Sequence, residues 1–290
     1  MQKNLFSAGL IAIATLAPTS LFADAAPTFR TEGVTIRIDD SGAIIVPVRV
    51  NGNGPFPFLL DTGAAHSVIS DALAERLALR FVAKTAVLTT TGREWRPVVE
   101  IDQTTIECAR SERLQPSVVP SAQLHDIARG IEGMVGQDFL FAFNYTLDYR
   151  NKRLTWNDGA QTPDDVRLPL VAQAGRYLVQ VRGSQSHASM LLVPDSGASG
   201  FVAYERNGRT TLALNPGAGV TSVESLAGEQ RARTMILREL RLGGIRLRDY
   251  AVAVIARDPD DVVEGDGLLP LHLFASVSFS ARERRLVIRR

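Results

Sequence analysis

From Val34 onward the chain alternates apolar and polar positions with the period of two expected of strands: Val34, Ile36 and Ile38 share one face with polar residues between them. Residues 43–50 follow as an apolar, β-branched run. Asn51-Gly52-Asn53-Gly54-Pro55 is turn chemistry, and Phe56-Pro57-Phe58-Leu59-Leu60 then runs straight into Asp61-Thr62-Gly63. After Val68-Ile69, Ser70 or Asp71 is placed to cap a short helix over 72–79, with Leu73, Ala74 and Leu77 on one face. Alternating strands continue to Trp156, interrupted by a looser stretch with Pro and Ser at 115–129. The polar, turn-rich segment 157–165 reads as a linker. Beyond it the pattern restarts, with strands expected at 177–181 and 190–193 leading into Pro194-Asp195-Ser196-Gly197. The helix signal after this second acidic turn is weaker, and 240–245 and 250–255 again have strand and turn character.

The restart is a repeat. Asp61 and Asp195 begin their Asp-[Thr/Ser]-Gly triplets 134 residues apart, and Gly133-Met134-Val135-Gly136 and Gly267-Leu268-Leu269-Pro270 are offset by the same 134. Each half closes with a charged hairpin, at 149–154 and at 280–286. Three features copied in order, two of them at one spacing, imply an internal duplication of an all-β unit. The expected organisation is a signal peptide over 1–25, a first lobe over 26–156, a linker over 157–165 and a second lobe over 166–290.

Composition narrows the function classes. A formal net charge of +1 gives no footprint for nucleic acid or an anionic membrane, so a small molecule or a polypeptide fits better as partner. Lys3, the apolar stretch 5–16 and Ala23-Asp24-Ala25 have the order of an export signal with a small-x-small cleavage site. The apolar stretch is shorter than the roughly 20 residues a spanning helix needs, so the expectation is a periplasmic or secreted protein without stable membrane insertion after cleavage near Ala25, with a signal kept as an uncleaved anchor as the alternative. Cys108 is the only cysteine, so no intrachain disulfide forms.

One acidic triplet is ordinary turn composition. Here both triplets follow an apolar strand, both are followed by Ala, and both have the Gly-hydrophobic-hydrophobic segment at the same distance. In these residues the chain resembles the retropepsin and pepsin group of aspartic proteases, especially the bacterial retropepsin-like proteins, as a tandem pair. The resemblance is carried by Phe58-Leu59-Leu60-Asp61-Thr62-Gly63-Ala64 with 133–140, and by Leu192-Val193-Pro194-Asp195-Ser196-Gly197-Ala198 with 267–274. It implies an all-β, bilobal acid-protease fold, two β-barrel-like lobes about a pseudo-twofold axis, with Asp61 and Asp195 meeting as a catalytic pair.

Two carboxyl groups held close in a desolvated cleft share a proton, which supplies a base for a water and an acid for the leaving group with no cofactor or metal. The resemblance further implies that Thr62 and Ser196 brace the two turns, that Gly63 and Gly197 allow close approach, and that β-hairpin flaps cover the substrate. Thr90, Thr91 and Gly92 in the first half and Ala227 and Gly228 in the second are the flap candidates. Ala64 and Ala198 stand where a hydroxyl is frequent in the pepsin branch, so activity is expected in the weakly acidic to neutral range. With both half-sites in one chain, the expected enzyme is a monomeric endopeptidase acting on polypeptides.

Pro194 and Pro270 depart from the family pattern, each removing an amide donor. They leave two other readings open: a non-catalytic peptide-binding protein that keeps the cleft, and a lobe that works only when paired with another molecule. The four histidines, His66, His125, His187 and His272, lack metal-ligand spacing, and Ser199 in Gly197-Ala198-Ser199-Gly200 is not a nucleophile elbow.

Overall fold

The computed structural model describes residues 5–7, 33–89, 92–157, 159, 161–183, 189–226, 228–257 and 265–290. Most of the segment 1–25 expected to be a signal peptide, residues 90 and 91 of the first flap candidate and residue 227 of the second lie outside them. The short strand Leu5–Ser7 pairs in parallel with Ser222–Glu224.

Each half is a small β-barrel built around the same four-strand order. In the first lobe the strands Asn53–Leu60, Gly133–Val135, Val68–Ser70 and Ser117–Val119 lie side by side. The second lobe repeats this with Ser189–Asp195, Gly267–Pro270, Phe201–Arg206 and Ala251–Arg257. The registers superpose as well as the order: Val135 pairs with Leu60 and Leu269 with Pro194, while Met134 pairs with Val68 and Leu268 with Val202. Ile44–Val50 pairs with both Asn53–Leu60 and Gly92–Ile106, which curls the first-lobe sheet onto itself.

A set of strands drawn from both halves joins the lobes. Val34–Thr35, Arg153–Thr155, Tyr145–Asp148, Ser276–Ser280, Arg285–Arg289 and Val166–Gln173 form one continuous ladder. The last of these continues into the second-lobe barrel through Arg176–Gly183. Apolar residues on this ladder and beside it form an aromatic floor: Tyr145 stacks on Phe279 at 4.8 Å, and Trp156 meets Phe139, Phe143 and Tyr145 edge-on. The described part of 157–165 contains neither helix nor strand. Its end is pinned by buried Asp165, which accepts from both Arg289 and Thr162; the Arg289 bond holds its carboxyl well below the usual range.

Local signals behave as expected around the first turn. The helix runs over Asp71–Arg76, three residues short of the expected end at 79 because Leu77 caps it and Ala78 takes a positive φ, and Ser70 Oγ accepts from the Leu73 amide at 3.0 Å, with Leu73 and Ala74 buried. The stretch 115–129 is more regular than its composition suggests, containing the strand Ser117–Val119 and the helix Ser121–Ile127. Both are shorter than the window in which a hydrophobic period becomes legible, and Pro120 separates them by ending one and opening the other. No helix occurs between the second acidic turn and Leu214; the strand Phe201–Arg206 comes directly after the turn.

Candidate active site

Asp61 leaves the end of its strand with its amide donating to Val135 O at 3.0 Å. Its carboxyl then folds back over its own turn, where Oδ1 accepts from the amides of Gly63 (2.8 Å) and Ala64 (3.1 Å). Asp195 repeats this with Gly197 (2.7 Å) and Ala198 (3.0 Å). The alanines thus supply backbone donors at positions where the side chain offers none.

The two turns are locked to each other by four reciprocal hydrogen bonds. The Thr62 amide donates to Ser196 Oγ and the Ser196 amide to Thr62 Oγ1, both at 3.0 Å. Each hydroxyl in turn donates across the axis to the carbonyl just before the opposite aspartate, Thr62 to Pro194 O at 2.8 Å and Ser196 to Leu60 O at 2.6 Å. Every polar atom of the two hydroxyls is used, so the bracing role expected of Thr62 and Ser196 has a complete geometric basis.

This lock brings the carboxyl groups face to face. A Cβ on Gly63 would sit 2.6 Å from Asp195 Cγ, and one on Gly197 would sit 3.2 Å from Asp61 Cγ. Glycine is therefore required at Gly63 by the opposite lobe's carboxyl, a reason beyond the turn's own backbone. Among the described residues, Oδ2 of each aspartate receives no amide or hydroxyl, and the two carboxyls interact with each other.

Both aspartates are 0% exposed. Burial, followed by the charge of Asp195, raises the Asp61 carboxyl well above its ordinary value. Burial also pushes Asp195 up to about 6, but the amides of its turn, the hydrogen bond from Asp61 and the charge of Arg176 hold it lower. Arg176 is buried at the start of the second-lobe strand Arg176–Gly183. The start of the equivalent first-lobe strand carries Ala43 and Ile44 and no charge, so the electrostatics of the pair are asymmetric although its backbone is not.

The two prolines find their explanation here. In the first lobe the Gly136 amide donates to Ser67 Oγ at 3.0 Å, and Ser67 also bonds Asp138. The residues 134 positions on are Pro270, Phe201 and His272. Pro270 lacks the donor and Phe201 lacks the acceptor, so that hydrogen bond is lost from both sides at once and buried apolar side chains take its place, while among the described residues His272 Nδ1 is buried without a hydrogen-bond partner. Pro194 lies beyond the end of the antiparallel ladder with Arg176–Gly183, whose last pair on that side is Leu192 with Val179, and its carbonyl is the group the site uses.

Two contributors escaped the sequence reading. Gln137 is fully buried and donates from Nε2 to the Thr62 carbonyl at 2.7 Å, and its only signal was a polar residue between Gly136 and the apolar Phe139-Leu140. Arg176 was signalled only by a charge opening an apolar strand. Of the flap candidates, Gly92 and Gly228 do close long hairpins, pairing with Thr89 and Ser225. Thr90, Thr91 and Ala227 fall outside the described residues. Trp95, on the first hairpin, is 65% exposed.

The family model for aspartyl proteases matches this chain twice, over residues 46–139 and 177–271. Among solved structures, a retropepsin-like aspartic protease from Rickettsia conorii is 17% identical over 38% of this chain and 79% of its own, with a TM-score of 0.30. Basic 7S globulin from soybean is 10% identical over 88% of this chain and 93% of its own, with a TM-score of 0.48. No curated protein matches. The two family matches cover more than half of the chain, and each contains one acidic turn and the Gly-hydrophobic-hydrophobic strand beside it, so the chain belongs to the aspartyl protease family, with one copy of the family's unit in each lobe.

Proposed function

We propose that this protein is an exported aspartic endopeptidase, active as a monomer, in which Asp61 and Asp195 activate a water against a peptide bond. The observation that carries this reading is the pair of buried carboxyls held face to face by the Thr62–Ser196 lock, with an Oδ2 on each side open to a shared proton. Asp61, the more strongly raised of the two, holds that proton, and Asp195, on the Arg176 side, is the base. Asp195 takes a proton from the water as its oxygen adds to the carbonyl carbon. Asp61 hydrogen-bonds the developing oxyanion. A proton then passes to the leaving nitrogen, the C–N bond breaks, and a carboxylic acid and an amine are released. The export signal assigns the activity to the periplasm or outside, and N-terminal sequencing of the exported chain should read a start near Ala26.

The test is hydrolysis of an unbiased peptide mixture between pH 3 and 8, with and without a peptide analogue carrying a hydroxymethylene group in place of the scissile carbonyl. Cleavage that the analogue blocks supports the reading. No cleavage at any pH would leave the peptide-binding alternative as the better one.

The pair works with one carboxyl ionised and one protonated, so activity should rise as pH passes through about 6, where Asp195 ionises, and fall once Asp61 loses its proton. The Arg176 charge lowers Asp195; Arg176→Met should therefore move the acid limb of the kcat/KM profile to higher pH. An unmoved acid limb in that variant would remove Arg176 from the account.

A further inference from the structure

The turn of the second-lobe hairpin, between Leu214–Ser225 and Gly228–Leu237, carries a leucine where turn chemistry favours Gly, Asn or Asp. Leu226 is only 4% exposed, although hairpin turns ordinarily face solvent. It is buried in an apolar cluster whose every other member belongs to the first lobe, including Ala64 next to the acidic turn, Leu124, Ala128 and Ile131. The strand leading to it packs against the first-lobe helix Ser121–Ile127. Val223 and Ala232 behind the turn are buried in the second lobe's own apolar cluster, whereas Val220 on the same strand is 74% exposed, so among these Leu226 is the side chain that enters the first lobe. The hairpin therefore reaches across from one lobe and anchors a single side chain in the other, in a chain whose two aspartates have no exposed surface at all.

We propose that Leu226 is an internal occupant of a first-lobe side-chain subsite, and that this subsite takes a leucine-sized aliphatic side chain of a substrate peptide once the peptide has displaced it. The assignment rests on reading the cleft as a peptide site and specifies which peptides enter it. The recess holding Leu226 is lined by alanine, leucine and isoleucine, so it rewards aliphatic burial and penalises a charged side chain that finds no partner there. Self-occupation also closes the cleft. Seating a leucine favours the closed hairpin by about tenfold to a hundredfold, and an incoming peptide meets that factor as a loss of apparent affinity.

The experiment uses the full-length chain with Asp195→Asn, so that peptide is bound without turnover, and two extended alanine-based peptides that carry one central leucine or one central aspartate. Adding Leu226→Ala is expected to tighten the leucine peptide about tenfold or more without creating affinity for the aspartate peptide, whereas Leu226→Met should behave as Leu226 does. In the peptide-free chains, amide exchange across Leu214–Ser225 and Gly228–Leu237 should quicken with Leu226→Ala and stay unchanged with Val220→Ala. Equal leucine-peptide affinity with and without Leu226, failure of that peptide to bind either chain, or hairpin exchange indifferent to Leu226 would each overturn the proposal. If affinity and exchange respond as described while the wild type cleaves no peptide, the peptidase reading falls and the role of Leu226 stands.

Discussion

Asp61→Asn and Asp195→Asn are each expected to lower kcat for peptide hydrolysis by about a thousandfold or more, because each removes one of two proton-transfer groups that no neighbour replaces. The expected loss is equal for the two, since the bracing around them is reciprocal and neither Oδ2 has a hydrogen-bond partner among the other described residues. Asparagine fits the site without disturbing it: its Oδ1 keeps the amide bonds of the turn, and its Nδ2 takes the place of Oδ2 and donates to the remaining carboxyl. The fold should gain from the change near neutral pH. Both carboxyls are raised by burial, so the stability they contribute is full below the ordinary carboxylate range and is lost as pH rises, through about 6 for Asp195. Each variant should therefore melt higher than wild type at pH 7.5, by on the order of 2–4 °C, with the gain shrinking towards pH 4. Kinetics and calorimetry on the same preparations decide the matter. A variant that loses activity and melts lower at both pH values has lost its fold instead, and a large loss in only one of the two variants would break the shared-proton account.

Gly63→Ala should cost about a hundredfold in kcat, and Gly197→Ala much less. The added methyl at Gly63 lies 2.6 Å from Asp195 Cγ and at similar distance from its Oδ2, about an ångström inside ordinary contact, and the Asp195 side chain is held by two turn amides. Displacement of a reacting group by about 1 Å is enough for a loss of that size. At Gly197 the nearest atom, Asp61 Cγ, is 3.2 Å away, and a shift of a few tenths of an ångström relieves it. Overpacking at Gly63 also costs about 1–3 kcal/mol of stability, so the melting temperature serves as the control for folding. Equal kinetic losses in the two variants would contradict the asymmetry of the cleft.

How much of this was legible depends on the range over which each feature is determined. The duplicated unit was readable because 134 residues separate both the acidic turns and the glycine-led strands, and the family matches repeat in the same two halves. The Ser70 cap and the hairpin turns at Gly92, Gly228 and Gly243-Gly244 were readable because caps and turns are set by a few consecutive residues. The helix Ser121–Ile127 was missed because about two turns beside a proline leave no period to detect. Gln137 was missed because its partner, the Thr62 carbonyl, is 75 residues away. The doubt cast by Pro270 had the same origin: whether a missing donor matters depends on whether an acceptor waits for it, and the residue standing in the place of Ser67 is Phe201, on another strand.

By itself, then, the sequence determined the paired acidic turns, the strands that aim them and the duplication that places them in one chain, because local backbone preference and hydrophobic period specify strands, turns and caps. Only the tertiary structure decided the rest. It placed Thr62 and Ser196 in each other's hydrogen bonds, put the Asp195 carboxyl where a side chain on Gly63 would be, set Arg176 on one side of the pair, and buried Leu226 in the opposite lobe. Each of these is a contact between residues far apart in the chain, created when two barrels close on a shared axis, and no window of consecutive residues contains both partners.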